Sequence, residues 1–271
     1  MKKLLVITLI AGIILVIAGG VIVLADRDNW DHEFVSAGDA RTGEIEVTAV
    51  NEIRVEANAA RVNITTSDED DILTYAFRYD VRGIRRRPPS IESNVRGETL
   101  TFRVDWARWN INLVFWQRVE LDIILPRDFD GTLTINGNAA DINVSNHSGN
   151  VDITGNAASI NTADTTGRLT INGNAASIDV SRHEGDIGIR GNATNANLHF
   201  TQLAGDVNIR GNAANITLHL PSDASADVRV EGSAMTFRDE FNLTRGGGRI
   251  GDGRYSVHIE GNAATVRINQ H

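Results

Sequence analysis

The tetrapeptide Gly-Asn-Ala-Ala, or a close variant of it, begins at Gly137, Gly155, Gly173, Gly191 and Gly211, at spacings of 18, 18, 18 and 20 residues. A second glycine keeps the same rhythm at Gly131, Gly149, Gly167, Gly185 and Gly205. Further copies stand at Gly232, in the degenerate form GSAM, and at Gly261, and an outlying relative reads Ala57-Asn58-Ala59-Ala60. A period this short is the mark of one small structural unit used again and again.

The unit explains itself. In the stretch from Gly131 to Asn150, Leu133 and Ile135 alternate with Thr132, Thr134 and Asn136. After the GNAA turn, Ile142 and Val144 alternate with Asp141, Asn143 and Ser145. Period-2 alternation gives each strand one apolar face, so a unit reads as strand, tight turn, strand, looser turn. Four aliphatic side chains cannot offset the entropy of ordering eighteen residues, so an isolated unit does not fold. Units stacked about 4.8 Å apart pair their backbones and close a continuous apolar interior. The expected fold class is therefore all-β, a β-solenoid of ~18-residue two-strand rungs. Antiparallel hairpins are the alternative, since Gly-Asn also makes hairpin turns. In a stack, Asn138, Asn156, Asn174, Asn192 and Asn212 fall on one line and bond as a structural ladder. The motif glycines are expected to accept backbone angles that a Cβ forbids.

The rest of the chain divides around this array. Lys2 and Lys3 precede an uncharged run from Leu4 to Ala25. As a helix it spans roughly 33 Å, enough for a hydrocarbon core of roughly 30 Å. Residues 1–25 are thus expected to form one N-terminal transmembrane helix with the lysines inside, or a cleaved signal segment. Either way the remainder lies outside the cytoplasm, single-pass in the cell membrane if uncleaved and secreted if cleaved. Residues 26–43 read as a spacer, 44–130 as an irregular N-terminal β cap with first rungs, and 131–271 as the repeat solenoid. Phe237 to Gly253 interrupts the rhythm, its RGGGRIGDG segment reads as a flexible loop, and a last rung follows at Tyr255 to Asn269.

Chemistry is hard to find. The absence of cysteine excludes disulfides, thiolate metal sites and cysteine nucleophiles. A net charge of −9 argues against a nucleic-acid partner. His147 and His183 occupy equivalent turn positions two rungs apart, roughly 10 Å from each other, and are expected to be solvated. His199, His219 and His258 lack zinc-ligand spacing and read as strand-surface residues. Asp68, Glu69, Asp70 and Asp71 have the donors for calcium but read as a solvated loop. Asp152, Asp186 and Asp206 recur without the Gly-Gly-x-Gly-x-Asp pattern of calcium-binding repeats. No Gly-x-Ser-x-Gly elbow or phosphate loop is present. The chain is read as a non-enzyme, with no cofactor and no metal. Two interaction candidates stand out. One is the aromatic cluster Trp106, Trp109, Phe115 and Trp116, which either plugs the cap or faces a membrane, glycan or protein. The other is the basic segment Arg85, Arg86 and Arg87, which faces anionic lipid or wall polymer if exposed.

The block IRVEANAARVNITTSDEDD (53–71), the block VELDIILPRDFDGTLTINGNAADINVSN (119–146) and the succession of Gly-Asp/Asn-Ile rungs resemble the putative-adhesin family of bacterial β-strand-repeat envelope proteins. The resemblance covers nearly all of the exported part. It implies a protein without assigned activity, anchored by one helix and associated with envelope maintenance or stress response. The expected function is a membrane-anchored adhesion or binding module whose partner is an envelope protein or glycan. A self-associating scaffold, with a strand-competent end at Ile268-Asn269, and a sensor of envelope stress acting on a membrane protein are the alternatives.

Overall fold

A computed structural model describes residues 39–67, 72–84, 89–105, 113–138, 141–156, 159–174, 177–192, 195–212, 215–233, 236–244, 246–262 and 265–271. These residues form 22 strands and no helix. The chain begins with β1 (Asp39–Glu46), β2 (Glu52–Asn58), β3 (Arg61–Thr66), β4 (Ile72–Ile84), β5 (Ser90–Arg96), β6 (Thr99–Asp105) and β7 (Leu113–Leu125). The regular repeats give five pairs. They are β8 (Thr132–Asn138) with β9 (Asp141–Ser148), β10 (Val151–Asn156) with β11 (Ser159–Thr166), and β12 (Leu169–Asn174) with β13 (Ser177–Glu184). Next come β14 (Ile187–Asn192) with β15 (Asn195–His199), and β16 (Val207–Asn212) with β17 (Asn215–Leu220). The chain closes with β18 (Ala226–Glu231), β19 (Thr236–Asp239), β20 (Gly247–Ile250), β21 (Tyr255–Asn262) and β22 (Thr265–Gln270).

The two strands of each repeat go to different sheets. One sheet runs β1-β4-β7-β3-β9-β11-β13-β15-β17-β22-β19, and the other runs β20-β18-β21-β16-β14-β12-β10-β8-β2-β6-β5. Neighbours from successive repeats are parallel and in register, so that like sits on like. Leu133, Val151, Leu169, Ile187 and Val207 form one inward column, and Ile135, Ile153, Ile171, Ile189 and Ile209 the next. Opposite them Ile142, Ile160, Ile178, Ala196 and Ile216 line the first sheet. All fifteen are buried. The alternation seen in the sequence thus becomes one apolar interior shared by both sheets.

The motif glycines sit differently from the expectation. Gly137, Gly155, Gly173, Gly191 and Gly211 are strand residues in mutual register, on the inward side of the strand, and are not among the positive-φ residues. In the outlying copy the same place holds Ala57, fully buried. What the position requires is a small inward residue, not a left-handed backbone. The second glycine column is where a Cβ cannot enter. Built at Gly149 it would lie 2.5 Å from the Gly131 carbonyl oxygen, at Gly167 2.8 Å from that of Gly149, and at Gly185 2.0 Å from that of Gly167. Successive backbones touch there.

Both ends of the stack depart from chain order. At one end β2 lies between β8 and β6, and β3 between β9 and β7, so residues 52–66 separate the later segment 99–125 from the repeats. Aromatics gather here, with Tyr75 packed edge-on to Phe102 at 5.2 Å and Phe77 beside Tyr79. At the other end β21 lies between β16 and β18, and β22 between β17 and β19. Tyr255 to Asn269 is therefore not the terminal rung, and the expected strand-competent end at Ile268 is not an open edge, because Asp239 of β19 pairs with it. The glycine-rich segment is not a loop throughout either. Gly247–Ile250 is strand β20, antiparallel to β18, because Gly247 lets its backbone approach Val228 where a Cβ would meet the carbonyl oxygen at 2.0 Å. The edges are blunted, since β19 and β20 have four residues each and β1 and β5 pair antiparallel to their neighbours.

Candidate interaction surface

The outward side of the second sheet carries the most ordered polar array. The Nδ2 of each asparagine donates to the Oδ1 of the next across the stack. Asn262 donates to Asn212 (3.0 Å), Asn212 to Asn192 (2.9 Å), Asn192 to Asn174 (2.9 Å), Asn174 to Asn156 (2.9 Å), Asn156 to Asn138 (2.7 Å) and Asn138 to Asn58 (2.8 Å). Ser233, which replaces asparagine in the degenerate GSAM copy, donates to Asn262 at 3.0 Å and extends the line. Every bond runs in one sense, so the amide dipoles add. From Asn156 to Asn212 each amide retains a second N–H and its oxygen a second lone pair for a ligand. Asn174→Ala breaks two of these bonds on an exposed face and is expected to cost about 1 kcal/mol, measured by urea unfolding.

Beside the ladder runs a second outward column, Asn136, Thr154, Asn172, Arg190, Arg210 and Glu260. The two columns, from Thr154 to Glu260 and from Asn156 to Asn262, line a groove of about 580 Å³ that reaches Glu231. Arg210 Nε lies 3.2 Å from the carboxylate of Glu260. The side chain of Arg190, its neighbour on the next strand, has no ion pair or hydrogen bond among the described residues. The groove thus offers hydroxyl and amide donors and acceptors at the strand spacing, one committed guanidinium and one available. Among the described residues that line it, none is aromatic.

The first sheet carries a shorter ladder that sequence reasoning missed. Asn161 donates to Asn143 at 2.9 Å and Asn143 to Asn63 at 2.8 Å. The offset of 18 between Asn143 and Asn161 was the available signal.

His147 and His183 correct the expectation that they are solvated, for both are buried. Asn146, Asp164 and Arg182 have left-handed φ of 56°, 53° and 51°, and each turns the following residue inward. His147, Thr165 and His183 therefore form an interior polar column in register. His147 Nε2 lies 3.1 Å from the Gly131 carbonyl oxygen, which can only accept, so Nε2 carries the proton. Its ring stacks on Phe129, and its Nδ1 is buried without a partner. Burial pushes its pKa down to about 4, against the opposing pull of the Gly131 carbonyl and the Asp130 charge. Burial lowers His183 too, and its Nδ1 shares a 2.9 Å hydrogen bond with Thr165 Oγ1. On the outside of the same bend Arg182 grips Asp164 through two 2.6 Å bonds, which hold that carboxyl below its ordinary range.

Of the other sequence candidates, Trp106, Trp109, Arg85, Arg86, Arg87 and the acidic segment 68–71 lie outside the described residues, as does the apolar run from Leu4 to Ala25. Phe115 and Trp116 lie on β7, with Trp116 opposite Arg82 of β4. Among the described residues no helix is long and apolar enough to cross a membrane, and no cluster of three or more His, Asp or Glu is arranged to hold a metal ion.

No protein-family model and no curated protein matches the sequence. Solved structures do align. A "putative cell adhesion protein" from Clostridium sporogenes is 13% identical over 87% of this chain and 100% of its own, with a TM-score of 0.38. A "putative adhesin" from Parabacteroides distasonis is 14% identical over 86% and 98%, with a TM-score of 0.34. A "putative lipid binding protein" from the same species is 17% identical over 86% and 98%, with a TM-score of 0.28.

Proposed function

We propose that the protein is a membrane-anchored, extracytoplasmic β-solenoid that acts as a non-enzymatic adhesion or binding module of the bacterial envelope, and that it binds through the groove over its asparagine ladder. The observation that carries this reading is the groove itself, a rigid polar surface with regularly spaced amides and a free guanidinium at Arg190. Fixed, repeated donors and acceptors suit a repeating, hydroxyl-rich polymer, and an unpaired cation adds preference for a carboxylate on it. The sequence supports the anchor through the Leu4–Ala25 run, and the resemblance to bacterial envelope proteins supports the location. The short edge strands speak against end-to-end growth, which leaves the scaffold reading with less support than binding.

The test uses the full chain in detergent on a biosensor, with polygalacturonate as the acidic polyhydroxyl probe and dextran as the neutral one. Arg190→Glu is expected to weaken polygalacturonate binding by about tenfold or more, because it places a like charge against the carboxylate. Equal binding of both probes by both proteins, or none at all, would sink the reading.

A further inference from the structure

Two arginines stand directly opposite each other on the outward side of the first sheet, at its β19 edge. Arg238 of β19 pairs in register with Arg267 of β22. Val266 and Ile268 are buried and Phe237 packs against the core, so both arginines project outward, and both are exposed. Neighbouring strands lie about 4.8 Å apart, and like charges placed opposite one another destabilise a sheet. Neither side chain has an ion pair or hydrogen bond among the described residues. Elsewhere this acidic chain, of net charge −9, sets carboxylates beside its strand arginines. Arg54, Arg61, Arg103 and Arg210 each lie within 3.4 Å of one. The same juxtaposition occurs on the second sheet, where Arg190 is opposite Arg210, but there Glu260 of the next strand pairs with Arg210. Beside Arg267 the corresponding place on β17 holds Thr217.

The acids that follow Arg238 are committed to backbone. Asp239 Oδ1 accepts from the amides of Phe241 and Leu243 at 3.0 and 2.8 Å, and Glu240 Oε2 accepts from the amide of Gln270 at 2.7 Å. What surrounds the arginines instead is a set of hydroxyls. Two residues earlier on the same strands Thr236 is opposite Thr265, on the same outward side. Thr217 adds a third from the neighbouring strand. A single guanidinium presents a planar fork that fills both oxygens of one carboxylate. Two forks side by side, with hydroxyls next to them, offer more donors than a carboxylate accepts. A phosphate group with three free oxygens supplies those acceptors, and its charge of about −2 near neutral pH balances the two guanidiniums. Because β19 is the last strand of its sheet, a phosphate borne on a larger molecule reaches the pair from the edge.

We propose that Arg238 and Arg267, with the hydroxyls of Thr217, Thr236 and Thr265, form a surface site for one phosphate group, inorganic or borne as a monoester. It lies on the sheet opposite the asparagine groove and does not rest on binding there.

The full chain in detergent, labelled with heavy nitrogen at arginine, should be titrated at constant ionic strength with inorganic phosphate, glycerol phosphate and acetate in separate series. The guanidinium Nε–H resonances report the outcome. Saturable shifts of Arg238 and Arg267 are expected with both phosphates and not with acetate. Arg238→Gln and Arg267→Gln should each weaken the affinity by about tenfold or more. Arg249→Gln, opposite Asp227 on the other sheet, should leave it unchanged. Phosphatidylcholine vesicles with and without phosphatidic acid then distinguish the sources. A response to phosphatidic acid as strong as that to glycerol phosphate assigns a lipid headgroup, and a response confined to the soluble probes assigns a free phosphate. Stability gives a second readout. Without phosphate, Arg238→Gln should unfold at the same or a higher urea concentration than the parent, because the repulsion is gone. In saturating phosphate the order should reverse, since the parent alone gains the full binding energy. Absence of saturable shifts with the soluble phosphates, an equal response to acetate, full affinity in both glutamine variants, equal loss in Arg249→Gln, or no reversal in the order of unfolding would overturn the site.

Discussion

Gly185→Ala is expected to destabilise the protein by about 4 kcal/mol, whereas Gly188→Thr three residues later is neutral or stabilising by up to about 1 kcal/mol. Gly185 lies in the bend that leads into β14 and Gly188 lies within β14, and the two meet different surroundings. A Cβ on Gly185 would stand 2.0 Å from the carbonyl oxygen of Gly167 and 2.9 Å from its carbonyl carbon, at a φ of +136° that side chains rarely adopt. The obstructing atoms are backbone. They are held in place by the ladders on either side, where Gly167 donates to Glu184 and Leu169 to Asp186. Relief therefore means breaking the parallel pairing between repeats. A Cβ on Gly188 meets nothing within 4 Å. It lies between Thr170 and Asn208 on the outward face, where a β-branched residue fills a strand position that glycine leaves loose. Urea unfolding of the two variants decides the matter. Similar midpoints would show that the close approach at Gly185 is not a constraint on the fold.

His147 alone is expected to remove about 3 kcal/mol of stability between pH 6.5 and pH 4. Its pKa falls from 6.5 to about 4 on folding. The unfolded chain then binds the proton more readily than the folded one, so stability declines as pH drops below 6.5 and the loss is complete below about pH 4. Above pH 6.5 the residue is neutral in both states and contributes no slope. The cause is geometric. Nε2–H is already committed to the Gly131 carbonyl, and a proton added at Nδ1 would place a charge with no acceptor against Phe129. His147→Gln keeps an N–H donor and removes the titration. Unfolding free energies of the two proteins, measured by urea at intervals from pH 7.5 to about pH 4, should converge as pH falls. Taking the difference cancels the carboxylates, which titrate in both. Parallel curves would mean that the buried imidazole charges without penalty.

The all-β class was readable because alternation of period 2 survives in nearly every segment, from Ile53-Arg54-Val55 to Val266-Arg267-Ile268. Neighbour identity was readable only where the offset is constant. The step from Asn138 to Asn156 is 18 residues, but those from Asn58 to Asn138 and from Asn212 to Asn262 are 80 and 50. Nothing local in the chain announces such jumps. The burial of His147 and His183 was hidden for a related reason. A left-handed residue at Asn146 or Arg182 shifts the alternation by one, so a position that counts as outward turns in.

That exchanged order at the end of the stack governs how the fold can be completed. During growth of the chain, β18 and β19 emerge before the strands that must separate them from β16 and β17. Until β21 and β22 exist, residues 226–250 have only their own β18–β20 hairpin-like pairing to hold them. The final segment must then slide into a seat bordered on both sides, making two ladders in each sheet in one event. Residue-by-residue accretion, the natural mode of a repeat array, stops short of this step. The reverse holds for unravelling. A pull on the last strands has to open both bordering interfaces at once, and so the array is fastened at that end by a clasp, not merely finished by a lid.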